Sequence, residues 1–127
     1  MRRDASAVVT ARVLGSAEVP AGVLDVVRAF WDMSEEPSAT LDDSASPERL
    51  DRWAEELLAR HGFGTAAFMF TGLGLAPWLE LRVAPGWFAS VRRADEASWV
   101  LLRGDFGAVA AVSEQEYRFE FYVAGLA

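Results

Sequence analysis

Cysteine is absent from the 127 residues, which excludes disulfides, thiolate metal sites and a thiol nucleophile. Lysine, asparagine and isoleucine, whose codons are rich in A and T, are missing too, while Ala, Arg, Gly and Val abound. That pattern points to a high-GC bacterial genome, so the missing lysines reflect base composition before any site chemistry. A single histidine, His61, excludes a multi-histidine metal site and leaves one imidazole for acid or base work. No apolar run approaches the roughly 20 residues of a membrane-spanning helix, because Arg, Asp, Glu, Gly or Pro interrupts each candidate. The stretch after Met1-Arg2-Arg3 is short and broken by Thr10 and Arg12, unlike the core of a secretion signal, and a cytoplasmic location is the expectation. No Ser is flanked by nucleophile-elbow glycines, and no glycine loop completes a dinucleotide or Walker pattern.

What is present favours one packed domain over residues 1–127. Apolar residues make up 52% of the chain, with five Trp, eight Phe and two Tyr, enough to build a core without metal or disulfide staples. The net charge of −7 is unevenly placed: Glu18 to Glu56 holds eleven acids against three arginines, a balance of −8, and the rest of the chain carries +1. Such a field repels phosphate backbones, which disfavours nucleic acid and favours a basic partner. Plain solubility would produce the same balance.

Periodicity assigns helices to the first half. Val8, Val9, Val13 and Leu14 fit a first strand within Ala5 to Leu14, or equally a frayed arm. Pro20 suits a first helical position, and Val23, Leu24, Val27, Phe30 and Trp31 then recur on one helix face. Met33 to Ala45 is polar, contains Pro37 and reads as an exposed loop. Ser46 and Pro47 open a second helix whose stripe is Leu50, Trp53, Ala54, Leu57 and Leu58, and Gly62 ends it.

Beyond Gly62 the period changes to short alternating runs. Candidate strands are Thr65 to Thr71, Trp78 to Val83, Trp87 to Arg93, Ser98 to Arg103, Gly107 to Val112 and Tyr117 to Val123, separated by turns such as Pro85-Gly86. The expected fold is α+β: an N-terminal strand, two amphipathic helices, then an antiparallel meander of five to six strands, one face packed against the helices.

Candidate chemistry is sparse, and no catalytic residue, metal site or cofactor is assigned. His61 precedes a helix-ending glycine, where an imidazolium suits the negative helix end; catalysis would need a carboxylate or nucleophile arriving from a sheet loop. The pairs Glu35-Glu36, Asp42-Asp43 and Asp95-Glu96 lack the spacing of a calcium loop and read as solvated charge or as a recognition surface. Arg103-Gly104-Asp105 and Asp105-Phe106-Gly107 echo an adhesion and a kinase tripeptide without their contexts, and read as one hairpin turn. Trp31 and Trp53 fit helix stripes and are expected in the core. Trp78 and Trp87 open strands where an outward ring would make an interface anchor.

Two functions follow. The first is a non-enzymatic acidic protein-binding module, of the bacterial inhibitor or immunity type, masking a basic partner such as a toxin through Glu35, Glu36, Asp42, Asp43, Trp78 and Trp87. The second is a small-molecule pocket between sheet and helices, with or without acid-base chemistry, since the element order is loosely similar to START-like and NTF2-like folds, although no motif accompanies it. A homodimer through sheet faces or edges is a third arrangement.

Overall fold

The computed structural model describes residues 9–32, 36–64, 66–70, 78–94, 98–115 and 117–126. The expected pair Asp95-Glu96 and the start of the first strand at Ala5 lie outside them.

Strand β1 (Val9–Leu14) is followed by a 3-10 turn (Ser16–Glu18) and helix α1 (Val23–Trp31), then β2 (Ala39–Asp42) and α2 (Pro47–Arg60). The second half runs β3 (Ala66–Phe70), β4 (Trp78–Arg82), α3 (Trp87–Ala94), β5 (Ser98–Arg103), β6 (Ala108–Glu114) and β7 (Arg118–Gly125). The strands form one seven-stranded sheet in the order β1-β4-β3-β5-β6-β7-β2, with every neighbouring pair antiparallel. This is the expected α+β class with an antiparallel sheet, although only β5, β6 and β7 form a meander in chain order. The two earliest strands lie at opposite edges, and α1 carries the chain between them.

Strand alternation sorts the interior into two layers. Ala67, Met69, Leu101, Ala110, Val112 and Phe121 point to one side, where Leu50, Leu58, Phe88 and Val91 of α2 and α3 cover them. Phe68, Val100, Leu102, Val109, Ala111 and Tyr122 point to the other, under Val23, Val27 and Phe30 of α1. Helices therefore cover both faces, where sequence alternation predicted one. The signal is blurred in β6, where the small residues of Ala108 to Ser113 are buried on both sides. A strand buried on both faces loses the polar half of its alternation.

Helix α2 is encoded locally. The Ser46 hydroxyl accepts from the Arg49 N–H (3.2 Å), Pro47 occupies the first turn, and Glu48 sits at the positive end. At the other end Gly62, at φ 88°, lets the Phe63 N–H donate to the Leu58 carbonyl (2.9 Å) and its own N–H to Ala59 (3.1 Å). This is a Schellman closure, and it delivers Phe63 to the core with no exposed surface.

Three expectations fail for identifiable reasons. Trp87 to Arg93 is helical, because Trp87, Phe88 and Val91 share a helix face and the Glu55 carboxylate accepts from the Gly86 (3.2 Å) and Phe88 (3.1 Å) N–H groups at the α3 start. The Met33 to Ala45 loop contains β2, an edge strand that turns only Ala39 and Leu41 toward the core. Pro20 precedes α1 by three positions, its carbonyl accepting from the Val23 N–H (3.2 Å).

Candidate functional site

Of the residues expected at a recognition surface, Glu36, Asp42 and Asp43 are exposed, while Glu35 lies outside the described residues. Asp42 is held in place: its Oδ1 accepts from the Ser44 N–H (2.8 Å), which keeps the carboxyl below the usual range. Trp78 and Trp87 are not anchors. They are 1% and 3% exposed, Trp78 under the α1 layer against Phe70 and Trp87 in α3 against Phe88. Both outer surfaces on which a strand tryptophan would have stood are covered by helices.

The exposed tryptophan is a different one, Trp31. Val23, Val27 and Phe30 turn α1 toward the sheet, which leaves Leu24, Arg28 and Trp31, spaced four and three apart, along its outer side. Leu24 is 41% and Trp31 40% exposed, whereas Trp31 was expected in the core. Asp25 and Arg28 approach only to 3.6 Å with highly exposed side chains, so the pair constrains the surface little. Asp32 caps the C-terminal end of α1, where a carboxylate opposes the helix dipole, so its presence does not serve the helix. Glu36 follows, also exposed.

On the opposite face a cleft of about 330 Å³ opens where the start of α2 meets β5, β6 and β7, lined by Ala45, Pro47, Leu50, Arg92, Trp99, Glu114 and Phe119. Arg92 is fixed at its rim by Asp51, with Nε–Oδ1 2.5 Å and Nη2–Oδ2 3.0 Å. That hydrogen bond, outweighing partial burial, raises the guanidinium pKa. The Trp99 indole N–H is buried and has no hydrogen-bond acceptor among the described residues.

A third polar group lies within the α1 layer. Glu120 is 4% exposed, yet its Oε1 accepts from the Tyr122 hydroxyl (2.5 Å) and its Oε2 from Arg118 Nε (2.8 Å). Burial, then the bond to Glu120, pushes the Tyr122 phenol up to about 12. Both carboxylate oxygens are engaged and covered, which makes this a satisfied structural ion pair and a poor general base.

The remaining sequence candidates are absorbed by structure. His61 is the C-cap of α2; its ring lies 5.8 Å from Phe121 and its carbonyl accepts from Arg103 Nη1 (3.0 Å). In the β5–β6 turn Asp105 accepts from Arg103 (2.7 Å) and from the Gly107 N–H (2.8 Å), and these bonds lower its pKa in that order of importance. Gly104 packs so closely that a Cβ would stand 2.7 Å from that of Ala66. Among the described residues no group of three or more His, Asp or Glu side chains is placed to hold a metal, and no helix is long and apolar enough to cross a membrane.

Comparison of the chain with protein-family models, with curated proteins and with solved structures finds no significant match.

Proposed function

We propose that the domain is a non-enzymatic module that binds a basic protein through the outer side of α1, as a bacterial cytoplasmic inhibitor or immunity-type protein would mask a cationic toxin. The observation that carries this reading is Trp31, held 40% exposed beside Leu24 on a helix whose other face is fully engaged. Tryptophan is enriched among residues that dominate binding energy. Asp25, Asp32 and Glu36 supply a rim of the sign that the −8 segment extends over the acidic half. Opposite charge on the partner would speed encounter, while the indole and Leu24 would hold the complex.

The test starts with affinity capture from a high-GC bacterial host and identification of the bound protein by mass spectrometry. Surface plasmon resonance then compares the unmodified chain with Trp31→Ala. Loss of a hot-spot indole should raise Kd by about 30-fold, chiefly through faster dissociation, while Tm stays nearly constant. Neutralising Asp25, Asp32 and Glu36 to Asn or Gln should slow association and flatten its salt dependence. An unchanged Kd in Trp31→Ala would overturn the assignment of the surface.

A further inference from the structure

We infer that the outer edge of β2 accepts an added β-strand from a cationic protein, a strand in which basic and apolar residues alternate. Strand β2 ends the sheet, pairing with β7 on one side, and no described strand lies beyond it. Its register runs unbroken from Ala39 opposite Phe121 to Asp42 opposite Arg118. The other edge, β1, breaks register between Val9 and Val13, and such an irregularity blunts a strand as a template.

An open groove of about 640 Å³ follows β2, lined by Thr40, Leu41 and Asp42 on one wall and by Ser44 to Ser46 and Arg49 on the other. Successive residues of a strand point to opposite faces, so a groove that touches Thr40, Leu41 and Asp42 alike runs along the strand's edge. The inner edge is taken by β7, which leaves the outer one. Four residues of β2 span about 13 Å, and an incoming strand would lie roughly 4.8 Å beyond them, where the groove opens. In strand addition the main-chain hydrogen bonds supply affinity, and alternate side chains supply specificity.

The side chains along the edge decide the occupant. Ala39 and Leu41 turn toward α2, so Thr40 and Asp42 turn the other way. There an incoming side chain meets the Asp42 carboxylate, which has no ion-pair partner among the described residues: Arg118, opposite it on β7, is bound to Glu120 instead (2.7 Å). Asp43 follows the strand and Glu36 precedes it, both exposed, so cations suit that side. On the α2 side the neighbours are Leu41, Ala45 and Arg49, where a cation is repelled and an apolar side chain fits. A second copy of this chain is refused at the same edge, because it would bring Asp42 and Asp43 twice to one seam, and like charges across a strand pair are destabilising. The acids that keep copies apart thus select the partner by its charge. The edge owes nothing to Trp31, so the outcome at the α1 surface and the outcome here are independent.

The probe is a capped hexapeptide of alternating lysine and valine, titrated into the intact, isotope-labelled protein and followed by backbone amide shifts in NMR spectra. Of two control peptides, one carries glutamate in place of each lysine, and the other is N-methylated throughout, which keeps the charge but removes every backbone donor. The expected result is a saturable shift, largest at Ala39 to Asp42, that weakens as salt rises. Either control should bind at least about tenfold more weakly, through lost ladder bonds in one and reversed charge in the other. Asp42→Asn, whose amide oxygen still accepts from the Ser44 N–H, should weaken the lysine peptide about threefold, and its combination with Asp43→Asn about tenfold. No saturable shift at about 10 mM peptide, shifts centred away from β2, or equal binding by either control would overturn the proposal. Concentration-dependent dimerisation that shifts the same amides without peptide would overturn it too, by placing a second copy at the edge.

Discussion

The two faces of the sheet are covered in different ways. On one, the long helix α2 and the short helix α3 run antiparallel and are clamped at both ends. Asp51 takes Arg92 near the end of α3, and Glu55, one turn further along α2, takes the N–H groups at its start. On the other, α1 alone lies across the strands; it is tied by apolar contacts of Val23, Val27 and Phe30, and its outer side is partly apolar. The clamped face serves stability, and the sparsely tied one leaves surface free for a partner.

The largest expected effect lies on the clamped face. Phe63→Ala removes a fully buried ring and should cost about 3 to 5 kcal/mol in urea unfolding, whereas Trp53→Ala, at the partly exposed edge of the same core, should cost about 2 kcal/mol. Equal losses would mean that the core extends further over Trp53 than the packing shows.

Next comes a matched pair of charge deletions. Asp51→Asn breaks a part-buried, bidentate pair and should cost about 1.5 to 3 kcal/mol, since both side chains are less than a quarter exposed. Asp25→Asn removes the analogous charge on α1, where the arginine is 3.6 Å away and both partners are exposed, and should change stability by less than about 0.5 kcal/mol. If the two deletions cost the same, the contrast between the faces is lost.

A smaller effect should appear at high pH. The Tyr122 phenol is raised from 10.0 to about 12 in the folded state, so its contribution is complete below pH 10 and is lost as pH rises through about 12. Chemical-denaturant stability should fall over that interval, together with a phenolate absorbance step near pH 12. Tyr122→Phe should remove both. Persistence of the step in the variant would place the titration elsewhere. The smallest change is expected for Trp31→Ala: because the ring is 40% exposed, stability should drop by less than about 1 kcal/mol in a variant predicted to bind its partner far more weakly.

How much of this was legible depended on where the deciding partner sits in the chain. Helix α2 was readable from Ser46 to Gly62 because its caps are its own neighbours. Helix α3 was not: Trp87, Phe88 and Val91 also fit the edges of a strand pattern, and the carboxylate that seats its first turn comes from Glu55, in another helix. Strand β2 was missed because it turns only two apolar residues inward, too few for a period. Trp31 stands eight residues after Val23, about 80° round the helix, at the margin of the stripe. Such a margin is core or surface according to how broad the sheet beneath it is. For Trp78 and Trp87 the alternation was no guide, because a sheet covered on both sides buries either parity. Glu36, Asp42 and Asp43 were readable as exposed acids, since charge in a polar segment seldom finds a buried partner. The cleft at Trp99 joins residues from α2, α3, β5, β6 and β7, and no local pattern announces it.

The order of the strands also sets a timetable. Strands β5, β6 and β7 pair through short turns, but Ala39 of β2 must wait for Phe121, and Val9 of β1 for Leu81. A ribosome therefore releases the first third of the chain well before its strands have anything to pair with, and β2 closes the sheet only when the last strand has emerged. During that interval the like charges between Glu18 and Glu56 repel those of neighbouring chains, so the same acids can act as a built-in guard against premature association. In pulse-labelled hydrogen exchange during refolding, protection should appear first at Val109 to Val112 and last at Thr40 and Leu41; simultaneous protection would mean that the sheet closes in one step.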